Sequence, residues 1–538
     1  MSVSMLRRTE RDNVQICNNL DRQDGFDMEL ISGTVHHRQV LFETGYAARQ
    51  AAINMGLYHS FLLRRRDRMG VNSSVKHSNN GQTRWTLQEA ARILGSRSGM
   101  PDHPIAGVSI DTRTLKAGDL FVALKGERSD GHEFVPLAFK KHAAAALVRS
   151  DYQPSEAGGP VIRTHDPLSA FQTLAAAYRD RFRIPVIGIT GSNGKTTTKE
   201  MMADILSIAF RTARSFGNLN NHIGVPLSIL NWPEDSQIAV VEMGTNHFGE
   251  IARLCEIARP THGLITNIGK GHIGFLESLD GVLRAKTELI EGLTRDRVAF
   301  LNGDDPLLRP LHEKRDHTIL YGFSEGCDVQ AEFAGLDDSG CPAFRLGDET
   351  VRLRIPGRHQ AANALAAAAV GRYFGIPDVR IREILESHAA FDRRMQVQAV
   401  HGITLLNDAY NANPTSVEAA LETLAGMPSL KRRFVVLGDM LELGDSAGTE
   451  HRRLGERIAG LSFDGFFAYG PLMREAVSRA REKGLRRAGH FRSHADIAEL
   501  LAEEIRPGDG ILVKGSRGMR MERVIVLFGK ILAQTESG

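Results

Sequence analysis

Seven consecutive residues, Gly191-Ser192-Asn193-Gly194-Lys195-Thr196-Thr197, combine two glycines, a lysine and paired threonines in an order suited to gripping phosphates. Glycines let backbone N–H groups close on an oxyanion, the lysine adds a full charge, and a threonine hydroxyl can reach Mg2+ on the same phosphates. The spacing departs from the common G-x-x-x-x-G-K-[ST] loop, because Ile189 stands where its first glycine would fall. Upstream lies the apolar run from Val186 to Ile189; downstream, Met201, Met202, Ile205, Leu206 and Ala209 recur at helical spacing. The stretch reads as strand, short loop, helix. The helix N-terminus, worth about half a unit charge, then faces the phosphates of a nucleoside triphosphate. An ordinary glycine-rich turn is the bland alternative, and the lysine and threonine in this context argue against it.

Ligands of open α/β sheets bind beyond the carboxyl ends of the strands, so polar residues there carry the next weight. Glu242 closes the run "IAVVEM" and is placed to hold Mg2+, against a bland role capping a helix. His272 follows "LITNIGKGH"; a loop histidine is more often a surface residue, and it gains weight with Asn267 only by following another strand. Lys286 lies in the helical pattern "GVLRAKTELIEGL" and by default points to solvent. Asn363 sits near the start of an Ala-rich helix, where capping is the bland role. The stretch "NDAYNANPTSVEAAL" sets Asp408, Asn411 and Asn413 in a strand-to-helix loop before Pro414, which suits the first turn of a helix. Such a loop is either turn chemistry or a ligand contact brought from another domain.

These residues need parallel sheets to position them, and the sequence supplies the pattern. With 538 residues the chain has room for three or four domains of roughly 150 residues each. Residues 1–82 mix polar residues with short apolar pieces and read as a poorly ordered extension. From 83 to 183 short strands alternate with turns and a helix, as in a small α/β domain. From 184 to 390 strands such as 238–243 and 263–268 alternate with helices, predicting a mostly parallel sheet, with a β-rich excursion over 327–355. From 391 to 538 the alternation restarts with "ITLLND", "RFVVLGD", "DGFFAYG" and "GILVKG", predicting a Rossmann-like third domain. The charge balance, 67 basic against 64 acidic residues, gives no footprint of a nucleic-acid binder. The four cysteines have no metal-ligand spacing. No apolar run reaches the roughly 18 residues that span a bilayer, and no secretory pattern opens the chain, so a cytoplasmic protein without membrane contact is expected.

The segments "GITGSNGKTT", "GNLNNHIGVPLSIL", "VVEMGTNHFGEI", "TNIGKGHIGF", "AKTELIEGL", "GRHQAANALAA", "NDAYNANPTS", "VLGDMLELG" and "KGSRGMRME" resemble, in order, the motifs of the Mur ligases over about residues 85–535. "NANP", and "VLGDMLELG" followed by His451, resemble the dipeptide-adding branch rather than the diaminopimelate-adding one. Folylpolyglutamate synthases share the later domains but place the phosphate loop close to the N-terminus, unlike this chain. The resemblance implies an ATP-dependent ligase of peptidoglycan precursor synthesis that joins D-alanyl-D-alanine to UDP-N-acetylmuramoyl-tripeptide, as a monomer. It implies that Gly191 to Thr197, Asn363, Arg394 and Asp408 face ATP, with Lys195, Glu242, His272 and Lys286 catalytic. It further implies Mg2+ held by Thr196 and Glu242, a second Mg2+ by His272 and a CO2 adduct of Lys286, and UDP near Ser109, Thr112, Arg113, Asp130 and His132. Another Mur-type ligase, a P-loop ATPase that does no ligation, and a UDP-sugar binding protein are the alternatives.

Overall fold

Strands whose residues are apolar without interruption must be covered on both faces, which parallel α/β sheets achieve. The computed structural model describes residues 85–537 apart from 97–98, 128, 154–157 and 294–296, so the expected N-terminal extension lies outside the described residues. A first sheet pairs Val108–Ser109 (β1), Leu120–Val122 (β2), Ala145–Arg149 (β3) and Val161–Thr164 (β4) in that order, all parallel. The central sheet uses Val186–Thr190 (β5), Thr212–Arg214 (β6), Ile238–Glu242 (β7), His262–Ile265 (β8), Val298–Asn302 (β9), Thr318–Gly322 (β10) and Val329–Gln330 (β11). Its order is β11-β10-β9-β8-β5-β7-β6, and every pair is parallel. β5 is buried throughout, as its unbroken "VIGIT" requires.

The β-rich excursion is a separate antiparallel sheet of Glu332–Leu336 (β12), Pro342–Leu346 (β13) and Glu349–Arg352 (β14). Beyond it the Ala-rich helix Arg358–Tyr373 is buried nearly all round and packs on helix Lys195–Leu206. A Cβ on Gly371 would stand 2.7 Å from Ile205 Cγ2, so small residues set how closely these helices approach.

The last sheet joins Gln396–Val400 (β15), Ile403–Asp408 (β16), Arg433–Gly438 (β17), Gly465–Tyr469 (β18), Ala488–Phe491 (β19) and Gly510–Lys514 (β20). Its order is β15-β16-β20-β17-β18-β19, parallel except at the β15 edge. β15 is an addition to the expected Rossmann-like pattern: "QVQAV" is half-covered and lacks the apolar run that marks the inner strands. One apolar cluster runs from the first sheet into the central domain, through Trp85, Phe171, Trp232 and Val241. Trp85, Tyr178, Phe182 and Trp232 form an edge-to-face chain with centroids 5.2, 5.2 and 5.6 Å apart. Among the described residues no helix is long and apolar enough to cross a membrane.

Candidate active site

β8, β5 and β7 lie side by side, so the loops at their carboxyl ends share one edge. Between β5 and helix Lys195–Leu206 the phosphate loop turns through Gly191 at φ 142° and Gly194 at φ 81°, angles that favour glycine. Side chains are excluded there as well: a Cβ on Gly191 would meet Thr266 Oγ1 at 2.0 Å, and one on Gly194 would meet Asn363 Oδ1 at 2.1 Å. The segment after β8 braces the loop. Ser192 N–H donates to the Asn267 carbonyl and Asn193 N–H to Asn267 Oδ1, while Thr266 Oγ1 and Asn267 Nδ2 donate to the Asn193 carbonyl at 2.6 and 3.0 Å. Lys195 Nζ lies over the loop, 2.7 Å from the Gly191 carbonyl. Gly194→Ala is expected to weaken ATP binding at least about tenfold, since the left-handed backbone costs about 1–2 kcal/mol and Asn363 must move. Calorimetric titration of ATP checks this, and unchanged affinity would show that the loop tolerates a side chain.

Register pairing of Ile189 with Glu242 sets the Glu242 carboxylate beside the start of the loop. Glu242 does not cap a helix; at the start of helix Glu250–Ala258 the Gly249 and Ala252 N–H groups donate to Glu288, while Glu250 ties down the preceding loop by accepting from Thr245 Oγ1 and the Asn246 and His247 N–H groups. Glu242 Oε1 accepts from Asn220 Nδ2 at 2.8 Å, whereas Oε2 is buried without a hydrogen-bond partner, as is Thr196 Oγ1. Two hard oxygen donors that make no hydrogen bond at one sheet edge suit Mg2+, which takes few protein oxygens and completes its shell with phosphates and water. Among the described residues no group of three or more His, Cys, Asp or Glu side chains forms a metal cage. Lys199, unremarked in the sequence although it lies one helical turn beyond Lys195, is fully buried. Its ammonium donates to the Ser215 and Gly217 carbonyls, pairs with Glu200, and stays 3.9 Å from Glu242 Oε2.

Lys286 corrects the default reading of a solvent-facing lysine: it is 0% exposed and its Nζ has no hydrogen-bond partner. Helix Leu279–Glu291 buries Gly281, Val282, Ala285, Lys286, Leu289 and Ile290, so Lys286 lies on the apolar stripe that faces the sheet. Burial, then the Lys195 charge, lowers its pKa well below the ordinary range against the opposing pull of Glu250 and Glu288. Desolvation also lowers the pKa of Lys195, with Glu242 opposing and Arg394 adding to the shift.

The third domain closes over this edge. Asn413 Oδ1 caps helix Pro414–Ala425 while its Nδ2 donates to Asn193 Oδ1 at 2.9 Å, so turn chemistry and contact across domains coexist in one residue. Lys270 Nζ meets Glu450 Oε1 at 2.6 Å, and the Gly274 N–H donates to the Glu442 carbonyl. His272 Nδ1 lies 2.7 Å from Glu442 Oε2 and holds that carboxyl below its usual pKa. His272 is thus engaged by the third domain, and Glu442, absent from the expected set, is the acid beside it. Arg394 stacks on Tyr410 at 3.8 Å with its Nε buried and unpartnered. The Asp408 carboxylate is committed to Lys514 Nζ at 2.5 Å and to the Met395 N–H at 3.0 Å, and Asn411 gives its carbonyl to the same lysine. Asn363 lies inside its helix rather than at the cap and faces Gly194.

Ser109 ends β1, Thr112 and Arg113 follow it, and Asp130 and His132 follow β2, which places all five at the carboxyl edge of the first sheet. Arg113 is exposed and chelates Asp111. Both His132 nitrogens are occupied: Nδ1 lies 2.6 Å from Asp130 Oδ1, and Nε2 accepts the Arg149 N–H at 2.9 Å. This pair therefore shapes its turn, while Arg113 presents its guanidinium at the surface.

Three family models match: "Mur ligase family, catalytic domain" over residues 104–179, "Mur ligase middle domain" over 189–371, and "Mur ligase, glutamate ligase domain" over 393–517. The UDP-N-acetylmuramoyl-tripeptide--D-alanyl-D-alanine ligase of Bacillus subtilis (strain 168) is 40% identical over 449 residues, 82% of this chain and 97% of that protein. A crystal structure of MurF from Acinetobacter baumannii superposes with a TM-score of 0.74 at 32% identity, covering 83% of this chain and 99% of that one. The MurF ligase from Thermotoga maritima in complex with ADP gives 0.70 at 29% identity, covering 80% and 99%. A phosphate loop, a strand-end carboxylate and a buried lysine share one edge beneath a third domain, and the matches run through all three domains: the chain belongs to the Mur ligase family.

Proposed function

We propose that the chain is an ATP-dependent ligase that joins D-alanyl-D-alanine to UDP-N-acetylmuramoyl-tripeptide in cytoplasmic peptidoglycan precursor synthesis, with domain limits at 83–183, 184–390 and 391–538. The observation that carries the reading is one sheet edge holding a braced phosphate loop, with a Glu242 oxygen and the buried Lys286 amine that make no hydrogen bond. It occurs in a chain 40% identical to a ligase of that name. The tripeptide carboxylate attacks the γ-phosphorus of ATP, giving an acyl phosphate and ADP. The dipeptide amine then attacks the acyl carbon, forming the amide and releasing phosphate and a proton. Anion must meet anion in the first step, and the Lys195 ammonium and the loop N–H groups offset that repulsion. Thr196 and Glu242 would hold Mg2+, which supplies further charge neutralisation at the phosphates when bound. Lys286 as a carbamate, with His272, is the proposed support for a second ion. Arg394 and Asn363 would contact the nucleotide, and Ser109, Thr112 and Arg113 the UDP. One chain supplies every residue named, so the reading needs no second copy.

Phosphate release from ATP is expected only when both UDP-N-acetylmuramoyl-tripeptide and D-alanyl-D-alanine are present, with D-alanine alone unable to replace the dipeptide. Comparable turnover with diaminopimelate and a dipeptide precursor, or with folate and glutamate, would move the chain to another branch. Turnover without any carboxylate acceptor would make it a simple ATPase.

A further inference from the structure

The segment Asn220–Asn231 touches both ends of the path that the substrate must span. At its start Asn220 Nδ2 donates to Glu242 Oε1, and the Asn220 carbonyl accepts the Gly244 N–H at 2.7 Å. Asn221 Oδ1 then accepts the Ile223 and Gly224 N–H groups and so launches helix Gly224–Leu230, a rod of about 10 Å at 1.5 Å per residue. At the far end Asn231 Oδ1 accepts the Val108 N–H at 3.1 Å, and Nδ2 donates to the Val108 carbonyl at 3.0 Å and to Leu227 O at 2.8 Å. β1 is an edge strand, and the Asn231 carboxamide gives it the two-point pairing that a neighbouring strand would give. β1 ends in Ser109 and runs on into Thr112 and Arg113. The joint has little slack: a Cβ on Gly107 would meet Asp119 Oδ1 at 2.8 Å and Asn231 Oδ1 at 3.0 Å. Gln172, on helix Pro167–Arg179 of the first domain, pins the segment near its start by donating to the His222 carbonyl at 2.9 Å.

We propose that Asn231 is a positioning residue for the ligase reaction, setting the register between the edge that holds the UDP moiety and the edge that holds Glu242 and the phosphate loop. The proposal rests on the function argued above. It makes Asn231 responsible for where the peptide carboxylate arrives, not for whether UDP or ATP binds.

The test compares Asn231→Ala and Asn231→Gln with the parent full-length chain. The glutamine keeps the same donor and acceptor but moves them by one methylene, and a cavity of about 260 Å³ beside Asn231, walled by Trp85, Tyr178 and Trp232, gives it room. In both variants kcat with the full UDP-peptide should fall about 10- to 100-fold, the loss typical of a reacting group displaced by about 1 Å. Calorimetric affinities for UDP alone and for ATP should stay within about twofold, and amide exchange at Val108 should quicken in Asn231→Ala. Unchanged kcat in either variant would overturn the proposal. So would UDP affinity, ATP affinity and Tm all falling together, which would make Asn231 only a structural peg. Failure of the parent itself to turn over the UDP-tripeptide and dipeptide would instead count against the proposed function, since this test reads only the ratio of variant to parent.

Discussion

Lys286→Ala is expected to fold and to bind the UDP substrate, yet lose about 10²- to 10³-fold in kcat, the scale for removing one preorganised stabiliser of transition-state charge. An ammonium has three donors and no acceptor, so as it stands Lys286 could only repel cations at this edge. Its burial without a partner and the nearby Lys195 charge both favour the neutral amine. On the proposed function that amine would add CO2 to give an N-carboxylate and a proton, replacing a cation by an oxygen ligand. Formate or acetate should restore part of the activity of Lys286→Ala by filling the same space. Lys286→Arg should stay inactive with or without them, because a guanidinium keeps its charge. Stability should change little, since lost packing along the stem is offset by relief of an unpartnered buried amine. Steady-state rates across a formate titration, with native mass in bicarbonate buffer seeking a CO2-sized increment, decide the matter. Near-parental activity of Lys286→Ala would remove the residue from the site.

Lys195→Ala should abolish ligase turnover, by about 10³-fold or more, while UDP affinity at the first sheet stays within about twofold. The Nζ has its protein contacts in the loop carbonyls of Gly191 and Ser192, so its loss frees acceptors that water can satisfy and should cost little in Tm. Calorimetry of UDP and ATP beside the phosphate-release rate separates the outcomes. Loss of UDP binding together with turnover would show misfolding or a nucleotide site elsewhere.

The phosphate loop was legible because its signal is local: glycines at positive φ, a lysine and a helix start within seven residues. Glu242 was legible through the strand-end rule, which holds wherever a parallel sheet can be read from its apolar runs. Lys286 was misjudged on residue type, although periodicity held the answer: residues 281, 282, 285, 286, 289 and 290 share one stripe, and the lysine falls within it. The pairing of His272 with Glu442 and of Lys270 with Glu450 left no local trace, because each partner lies about 170 or more residues away and only the docking of two sheets brings them together. The edge strand β15 was missed for the opposite reason, since a half-covered strand lacks the apolar run that revealed its neighbours.

Asn413 does more than close the third domain over the central one, because its carboxamide rests on Asn193, a residue of the phosphate loop itself. The door and the floor of the reaction chamber are therefore fastened to each other. Parting the third domain from the central one must break this contact, so any such opening would be felt at the phosphate loop itself.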